Sequence, residues 1–409
     1  MTNPAKYIVE TLWEDEEFVL SRRIWDDRRT SLLVSMPTSA RPTAETVARL
    51  NHAYGLRNEL DSAWAARPLS MESRDGTSAL LIEDPGGEVL AGMMGTPWDI
   101  KPFLHIAIGL AASLARLHNR GFIHKDVKPS NILVNIGTRD LWLVGFGIAS
   151  RLPRERRMPE PPEIIAGTLA YMAPEQTGRM NRSIDSRSDL YSLGITLYEM
   201  LTGTLPFTAS DPMEWIHCHI ARQPTPPNER VNGIPAPVAA IVMKLLAKTA
   251  EDRYQTAAGV ESDLRHCLAE CELHGRIGPF ALGENDIPDR LLIPEKLYGR
   301  AREVDILLTS FDRIVKSGKP ELVLVSGYSG IGKSAVVNEL HKPLVPPRGL
   351  FASGKFDQYK RDIPYATLAQ AFQSLIRPLL SKPDKELSKW RESIREALGA
   401  NGQLIWFRN

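Results

Sequence analysis

The stretch HKDVKPSNILVNIGTRDLWLVGFGIAS, from His124 to Ser150, lies where the chain has changed in character from mixed to helical. Its first half concentrates polar side chains, and its second half is largely apolar up to the GFG of residues 145–147. Upstream, residues 1 to about 100 contain short apolar runs stopped by Pro and Gly, as strands are. Downstream, apolar residues recur at helical spacing as far as Cys271. A small β-rich part followed by a larger helical part predicts a bilobal α+β domain.

Individual segments predict particular elements. The runs SLLVSMP (31–37) and SALLIEDPGG (78–87) predict strands, and TAETVARLNHAYGLRNELDSAW (43–64) between them predicts a helix. Further helices are predicted for FLHIAIGLAASLARLH (103–118), DLYSLGITLYEMLTG (189–203), PAPVAAIVMKLLAKT (235–249) and TAAGVESDLRHCLAEC (256–271). The helix of residues 189–203 is expected to start at Asp189 and to end at Gly203, a C-cap residue.

A second domain follows a region rich in Gly, Pro and Asp, residues 273–295, which we interpret as a linker. After it, LYGRAREVDILLTSFDRI (297–314) predicts a helix and ELVLVSG (321–327) a strand. Another helix is expected from about Gly332. This order indicates the opening of an α/β nucleotide-binding domain.

The composition narrows the class of protein. The chain has 409 residues, which suggests two or three domains, and its hydrophobic and charged contents of 43% and 24% are ordinary for a globular protein. A net charge of +1 gives no electrostatic reason to expect nucleic acid or a membrane surface as a partner. The N-terminus lacks the pattern of a signal peptide, and no apolar run reaches the roughly 18 to 20 residues that span a bilayer. We therefore expect a cytoplasmic protein with reduced thiols at Cys218, Cys267 and Cys271.

Four motifs of the helical part resemble those of protein kinases in their order and spacing: HKDVKPSN (124–131), GTLAYMAPE (167–175), DLYSLGITLYEMLTGTLPF (189–207) and AEDRYQ (250–255). Phosphoryl transfer needs the phosphates positioned, a metal held and the attacking hydroxyl aimed. The resemblance implies that Asp126 is the base that accepts the hydroxyl proton. It also implies that Lys128 contacts the transferring phosphate and that Asn131 binds the metal.

The same resemblance assigns architectural roles to three buried charges. Asp189 would hold the catalytic loop from the start of the central helix. Glu175, at the end of the APE motif, would pair with Arg253. We assign no catalytic role to any of the three.

Several positions depart from the kinase pattern. Gly145 stands where the aspartate of DFG would bind the magnesium that bridges the nucleotide phosphates. Ser35 stands at or near the position of the strand-three lysine, and the position of its glutamate partner falls near Ala53, with Glu59 almost two turns further on. The segment LWEDEEFVLSRR (12–23) has no glycine where a phosphate lid is expected. Since each electrostatic group supplies several kcal/mol to the transition state, these losses together predict impaired phosphoryl transfer.

The segment GYSGIGKS (327–334) fits the P-loop pattern GxxxxGK[ST] in full, between an apolar run and a helical one. Lys333 would neutralise the β- and γ-phosphates of ATP, and the Ser334 hydroxyl would ligate Mg²⁺. The glycines that would let backbone N–H groups turn toward the phosphates are Gly327, Gly330 and Gly332.

Hydrolysis needs a second acidic strand after the P-loop. Asp357 is the acidic residue of LFASGKFDQYKRD (350–362), but no run of four apolar residues precedes it. Only about 75 residues follow the P-loop, whereas a complete domain of this type needs about 150. We therefore interpret residues 296–409 as an incomplete ATPase domain for which nucleotide binding is expected and hydrolysis is not.

A wider resemblance covers nearly the whole chain. The segments GTLAYMAPEQTGRMNRSIDSRSDLYSLGITLYEMLTGTLPF (167–207), EDRYQTAAGVESDL (251–264), EKLYGR (295–300) and GYSGIGKS (327–334) resemble large bacterial signalling proteins. Those proteins fuse a serine/threonine kinase domain to an AAA-like ATPase and, further on, to a sensor histidine kinase. The resemblance implies that this chain corresponds to their N-terminal portion. Its partners would be a protein substrate or docking partner and the downstream modules of a longer protein, with no nucleic acid and no membrane.

The predicted fold class is thus an α+β bilobal protein-kinase-like domain followed by the start of an α/β P-loop NTPase domain. The kinase-like domain is assigned to residues 1–272, with an N-lobe of about 1–85 and a C-lobe of about 86–272. Two functions stay open. One is a pseudokinase-like module that acts by binding ATP or docking a partner, and the other is an active kinase that transfers the ATP γ-phosphate to serine or threonine with rearranged metal binding.

Overall fold

The computed structural model describes residues 7–25, 30–74, 77–151, 167–178, 182–288, 299–328, 331–338 and 367–373, together with the single residues 352, 354, 365 and 396. The chain divides into two compact units, Met1–Ile306 with Val325–Lys342, and Leu307–Leu324 with Pro343–Asn409. All residues of the kinase-like motifs belong to the first unit.

The N-lobe is built on a five-stranded antiparallel sheet in the order β1-β2-β3-β5-β4. Its strands are β1 (Tyr7–Glu14), β2 (Phe18–Trp25), β3 (Ser31–Pro37), β4 (Pro68–Arg74) and β5 (Thr77–Glu83). The strands predicted at 31–37 and 78–87 are therefore confirmed as β3 and β5, although the second ends at Glu83. Leu33, Leu80 and Ile82 lie buried in the core that the sheet shares with the neighbouring helix.

That helix, α1 (Ala44–Gly55), begins at an N-cap whose Thr43 side chain accepts a hydrogen bond from the Thr46 backbone N–H. The prediction extended it to residue 64, which is too long, because the chain passes into turns after Gly55. Glycine has a low helix propensity, which favours an end at this point. Leu50 and Ala53 are the buried face of α1 and point toward the sheet and the cleft below it.

The C-lobe is helical, as predicted. Its helices are α2 (Ile100–Asn119), α3 (Ser186–Thr202), α4 (Pro212–Ile220), α5 (Pro227–Arg230), α6 (Ala236–Leu245) and α7 (Ala257–His274). The predicted start of α3 at Asp189 is three residues late, because the Asp185 side chain caps the helix by accepting from the Arg187 N–H. Its predicted end is confirmed, since Gly203 is the C-cap with a left-handed φ of 71°.

Short strands frame the loop between the lobes. They are β6 (Glu88–Val89), β7 (Phe122–Ile123), β8 (Ile132–Val134), β9 (Leu141–Leu143) and β10 (Ser150–Arg151). Strand β8 pairs with both β6 and β9, and β7 pairs with β10. The quoted stretch His124–Ser150 therefore leaves β7, forms the small sheet and returns beside β7.

Helix α2 is the one described helix that is long and apolar enough to cross a membrane by length and composition. Its buried residues include Phe103, Leu104, Leu110 and Leu114, which belong to the main core of the C-lobe. The helix predicted at 103–118 is therefore confirmed, and it is a core helix of the C-lobe.

The segment predicted as a linker is in contact with the C-lobe as far as Asp286. The Gly283 N–H donates to the Asp263 carboxylate at 2.8 Å, and the Lys244 ammonium donates to the Leu282 carbonyl at 3.2 Å. The rings of His266 and Phe280 lie 4.3 Å apart. Residues 277–286 therefore run back along α7 as a packed strap.

After the strap, helix α8 (Ala301–Ser317) confirms the helix predicted there, and α9 (Lys333–Asn338) confirms the helix expected from about Gly332. The strand predicted at 321–327 is absent, because residues 318–328 have no regular secondary structure. Leu322 and Leu324 are 85% and 84% exposed. A strand needs a neighbour for its backbone N–H and C=O groups, and no described residue after Gly299 forms one.

Candidate functional site

The Asp126 carboxylate is held from two sides. Its Oδ1 accepts from the Thr168 backbone N–H at 3.0 Å and from the Thr168 hydroxyl at 2.9 Å. Its Oδ2 accepts from the Asn131 amide nitrogen at 2.9 Å. These bonds fix the orientation of the carboxylate at the floor of the cleft. Thr168 had no role in the sequence-based prediction, because it comes from a separate segment 42 residues downstream.

Lys128 completes this group. Its ammonium donates to the Thr168 hydroxyl at 2.8 Å and lies 3.5 Å from the Asp126 carboxylate. It also lies 3.6 Å from the Asp15 carboxylate of the N-lobe. The structure thus brings the three predicted residues Asp126, Lys128 and Asn131 together in one cluster.

Asp189 holds the backbone of this loop from beneath. It is fully buried, and its carboxylate accepts from the His124 and Lys125 backbone N–H groups at 2.8 Å each and from the His118 ring at 2.8 Å. Burial works to raise the pKa of Asp189, but the hydrogen bonds from the His118 ring and the His124 backbone help to outweigh it, so the pKa lies below its ordinary value. Asp189 is therefore ionised, and its carboxylate holds the Lys125 backbone N–H. This bond stabilises the Lys125 backbone, whose φ of 69° is uncommon for a residue with a Cβ.

His124 is buried as a neutral ring. Its Nε2 donates to the Val144 carbonyl at 2.9 Å, while its Nδ1 accepts from the Asp126 N–H at 3.3 Å. Burial lowers the pKa of His124. The Phe146 ring packs 4.8 Å from the imidazole, so the GFG segment and the catalytic loop share one core.

Gly145 adopts a left-handed conformation with φ 78° and ψ 39°. A Cβ at this position would come within 2.4 Å of the Asn131 amide oxygen. The amide of Asn131 occupies the space beside the glycine, and no carboxylate stands there. For a magnesium ion that bridges phosphates, the residues around Gly145 offer one amide oxygen and an Asp126 carboxylate already engaged by Thr168, so this donor set does not fit such an ion.

The N-lobe side of the cleft lacks a cation free to bind phosphate among the described residues. Ser35 and Ala53 both line the cleft, at the positions where a lysine and its glutamate partner are expected. Glu59 is no substitute, because it does not line the cleft and pairs instead with Arg151. The sequence-based prediction overlooked Arg49, which lies one turn before Ala53 and also lines the cleft.

Arg49 is bound to carboxylates on both sides. Its guanidinium donates to Glu17 at 2.7 Å and to Glu45 at 3.0 Å. Glu17 belongs to the turn between β1 and β2, where Asp15 accepts from the Glu17 and Phe18 backbone N–H groups. Three consecutive acidic residues, 15–17, thus form the tip that overhangs the cleft, where a phosphate lid would need glycines.

The predicted pair of Glu175 and Arg253 is confirmed as a buried, two-bonded ion pair, with N–O distances of 2.7 and 2.9 Å. Ser188 donates a further bond to Glu175 at 2.8 Å. Burial works to raise the pKa of Glu175, but Arg253 outweighs it and holds that pKa below its ordinary value. The pair lies apart from Asp126 and joins three segments of the C-lobe, which is an architectural role.

The P-loop residues are described in part. Gly327 and Gly332 have φ values of 154° and 93°. The Lys333 ammonium donates to the Gly327 and Tyr328 carbonyls at 2.8 Å each. The lysine thus lies over the loop, and the Ser334 side chain is exposed to solvent. Gly330 and Asp357 lie outside the described residues.

Comparison with known proteins agrees with this geometry. Residues 86–264 match the family model of the protein kinase domain, and residues 296–405 match that of the AAA ATPase domain. The chain is 29% identical over 393 aligned positions to Hybrid signal transduction histidine kinase G of Dictyostelium discoideum, which covers 75% of this chain and 11% of that protein.

Two bacterial proteins are also similar. Serine/threonine-protein kinase PknB of Mycobacterium tuberculosis is 35% identical over 229 residues, which is 55% of this chain and 35% of that protein. A probable serine/threonine-protein kinase of Corynebacterium efficiens is 32% identical over 232 residues, covering 55% of this chain and 34% of its own length. The chain thus spans about a third or less of the curated relatives it matches. It carries a protein kinase domain, with a β-sheet N-lobe and a helical C-lobe, followed by an AAA ATPase domain of the P-loop type.

Proposed function

We propose that the kinase domain is pseudokinase-like, with phosphoryl transfer lost or reduced to a trace, and that it serves as a signalling or docking module. The observation that carries this proposal is Gly145, which offers no carboxylate to a phosphate-bridging metal and leaves Asn131 as the amide ligand beside it. Loss of one preorganised electrostatic group typically reduces a rate roughly 100- to 1,000-fold.

Two further features support the proposal. Ser35 and Ala53 replace the lysine and glutamate that would position the phosphates, and both line the cleft. The acidic tip of residues 15–17 would repel a triphosphate where a glycine-rich lid would receive it. Because these losses all act on the same transition state, the reductions in the rate of phosphoryl transfer add to one another.

The second candidate is an active kinase that phosphorylates serine or threonine in a protein substrate. The floor of the cleft favours it, because Asp126, Lys128 and Thr168 form the hydrogen-bonded group that would aim a hydroxyl.

For the second domain we propose binding of ATP with magnesium at the P-loop, through Lys333 and the Ser334 hydroxyl. Mg²⁺ would supply charge neutralisation of the β- and γ-phosphates when bound there. The nucleotide state of this domain would then be the switch, and the kinase domain would dock a partner or the ATPase domain. We place this activity in the cytoplasm of a bacterium, in a longer protein with further ATPase and histidine kinase modules, and assign no nucleic acid or membrane partner.

The deciding experiment is transfer of radiolabelled phosphate from ATP to a generic basic protein, with Mg²⁺ and then Mn²⁺. The wild-type chain is compared with Asp126→Asn and Gly145→Asp, each also carrying Lys333→Ala so that the P-loop contributes nothing. The proposal expects no labelling by the wild type and at most a trace with Gly145→Asp, because Ser35, Ala53 and the acidic tip are unchanged in that variant. Labelling by the wild type that disappears in Asp126→Asn would reject it and establish the active kinase.

A further inference from the structure

The cleft between the lobes encloses a cavity of about 530 Å³. Its inner wall is apolar, formed by Leu50, Ala53, Ala66, Leu80, Ile82 and Val144. The small side chains at 53 and 66 leave this space open. A cavity of this size and lining is typical of sites for small organic molecules, which hold an apolar body and orient it with a few polar groups.

One polar group at the cavity has no partner. The Trp13 indole Nε1 is buried and makes no hydrogen bond to any residue that the structure describes. Trp13 lies on β1 and lines the cavity beside the acidic tip. Because this atom is inaccessible to solvent, a ligand in the cavity meets the rest of the indole, an aromatic surface against which a flat ring can pack.

The charges around the cavity are unbalanced. Among the described lining residues, two carry cations, Arg49 and Lys128, and five carry carboxylates, Asp15, Glu16, Glu17, Asp126 and Glu199. Arg49 is bound by Glu17 and Glu45, and Lys128 lies close to Asp15 and Asp126. A polyanionic ligand would have to displace these carboxylates and then lie beside them. A cationic ligand meets an excess of negative charge that is already in place.

We propose that this cavity binds a small planar molecule with an apolar ring body and a protonated amine, and that it excludes nucleoside triphosphates. The ring lies against the inner wall and the Trp13 indole, and the amine faces the acidic tip. The proposal rests on the proposed function, because a working kinase would need the same space for ATP.

The test uses the full chain with Lys333→Ala and the fluorescent acridine quinacrine, which has a flat ring system, a methoxy oxygen and a protonated amine side chain. Binding is measured by fluorescence polarisation, with acridine-9-carboxylate as the anionic ring control and MgATP as competitor. We expect quinacrine to bind at least about tenfold more tightly than acridine-9-carboxylate, because like charges at the tip repel the latter. MgATP should not displace the dye.

Charge variants give the matched comparison. In the double variant Asp15→Asn/Glu17→Gln the side chains keep their shape, so we expect the preference for the cation to fall by about tenfold or more. Glu88→Gln removes an exposed carboxylate outside the cavity and should change nothing. Trp13→Phe should weaken quinacrine a few-fold. Ser35→Phe should block the cavity, and if that variant does not fold, the charge variants still decide.

Three outcomes would overturn the inference: no quinacrine binding, displacement of quinacrine by MgATP, or an unchanged preference in Asp15→Asn/Glu17→Gln. The phosphate-transfer assay is read separately. If the dye fails to bind and no labelling is seen, the inference fails and the proposed function stands. Labelling that depends on Asp126 would reject both.

Discussion

A single buried carboxylate determines the backbone of the catalytic loop. Asp189 accepts two backbone N–H groups and one imidazole N–H, and it sits under Lys125, whose φ of 69° is strained for a residue with a Cβ. The loop keeps this shape whether or not phosphate is transferred. The catalytic loop can therefore keep its backbone shape in a domain that does not transfer phosphate. Asp189 holds the loop, whereas the departures from the kinase pattern lie at Gly145, Ser35 and Ala53.

We expect Asp189→Asn to destabilise the kinase domain strongly. The amide keeps the volume of the side chain but turns an NH₂ group toward donors, so the free energy of unfolding should fall by about 3 kcal/mol. Urea unfolding measures this loss. Asp61→Asn, which removes the partner of Arg120 at an exposed site, is the control and should cost less than about 1 kcal/mol. Equal effects of the two substitutions would contradict the role of Asp189.

At the scale of elements, the strap of residues 277–286 belongs structurally to the C-lobe. Asp286 accepts from the Gln255 and Thr256 backbone N–H groups at 2.6 and 2.8 Å, at the N-terminal end of α7. Gly259 allows this approach, since a Cβ there would lie 2.5 Å from the Asp286 carboxylate. The strap thus satisfies two backbone donors that lie just before the first turn of α7.

Asp286→Ala should lower the free energy of unfolding by about 1 to 2 kcal/mol, because the Gln255 and Thr256 backbone N–H groups lose their acceptor. It should also make the strap easier to cleave, so limited proteolysis between residues 277 and 288 is the second readout. Glu284→Gln, in the same segment and exposed, is the control and should leave both unchanged. Protection of the strap in Asp286→Ala would show that other contacts hold it.

The elements also show how much of the fold could be predicted from the sequence. Helices α2, α3, α6 and α7 were predictable because each carries recurring apolar residues between capping or turn signals, whereas α4 and α5 were not predicted. The Glu175–Arg253 pair was predictable because both residues lie in motifs. The acidic tip was not, because the pairing of Glu17 with Arg49 joins residues 32 positions apart that no local pattern links. The strand predicted at 321–327 was wrong, because apolar character alone does not supply the neighbour that a strand requires.

At the scale of the whole molecule, the chain has two candidate nucleotide sites, the kinase cleft and the P-loop. We expect ATP to bind only at the P-loop. The kinase cleft has its cations engaged by carboxylates, whereas Lys333 of the P-loop contacts only neutral backbone carbonyls within the described part of the chain. Neutral carbonyls are readily exchanged for phosphate oxygens, but carboxylates beside a triphosphate repel it. One equivalent of MgATP per chain is the consequence.

Isothermal titration of the full chain with MgATP should therefore give a stoichiometry of about one, and Lys333→Ala should abolish the signal, because the lysine supplies the charge that holds the phosphates. Lys319→Ala, an exposed lysine just before the P-loop, is the control and should bind as the wild type does. Residual binding of MgATP by Lys333→Ala would place nucleotide in the kinase cleft and contradict the proposal that this cleft excludes nucleoside triphosphates.

The left-handed backbone at Gly145 has a consequence for how the domain can change over generations. Glycine codons that end in a pyrimidine become aspartate codons by one base change, and aspartate is among the few residues that accept a positive φ. With φ already at 78°, such a change keeps the backbone of the loop, but the Asn131 side chain has to move, because its Cγ would lie 2.5 Å from the new Cβ. The metal ligand is thus one point mutation away, whereas the acidic tip, Ser35 and Ala53 each need a separate change. A lineage that regained the aspartate would hold it without benefit until those positions followed.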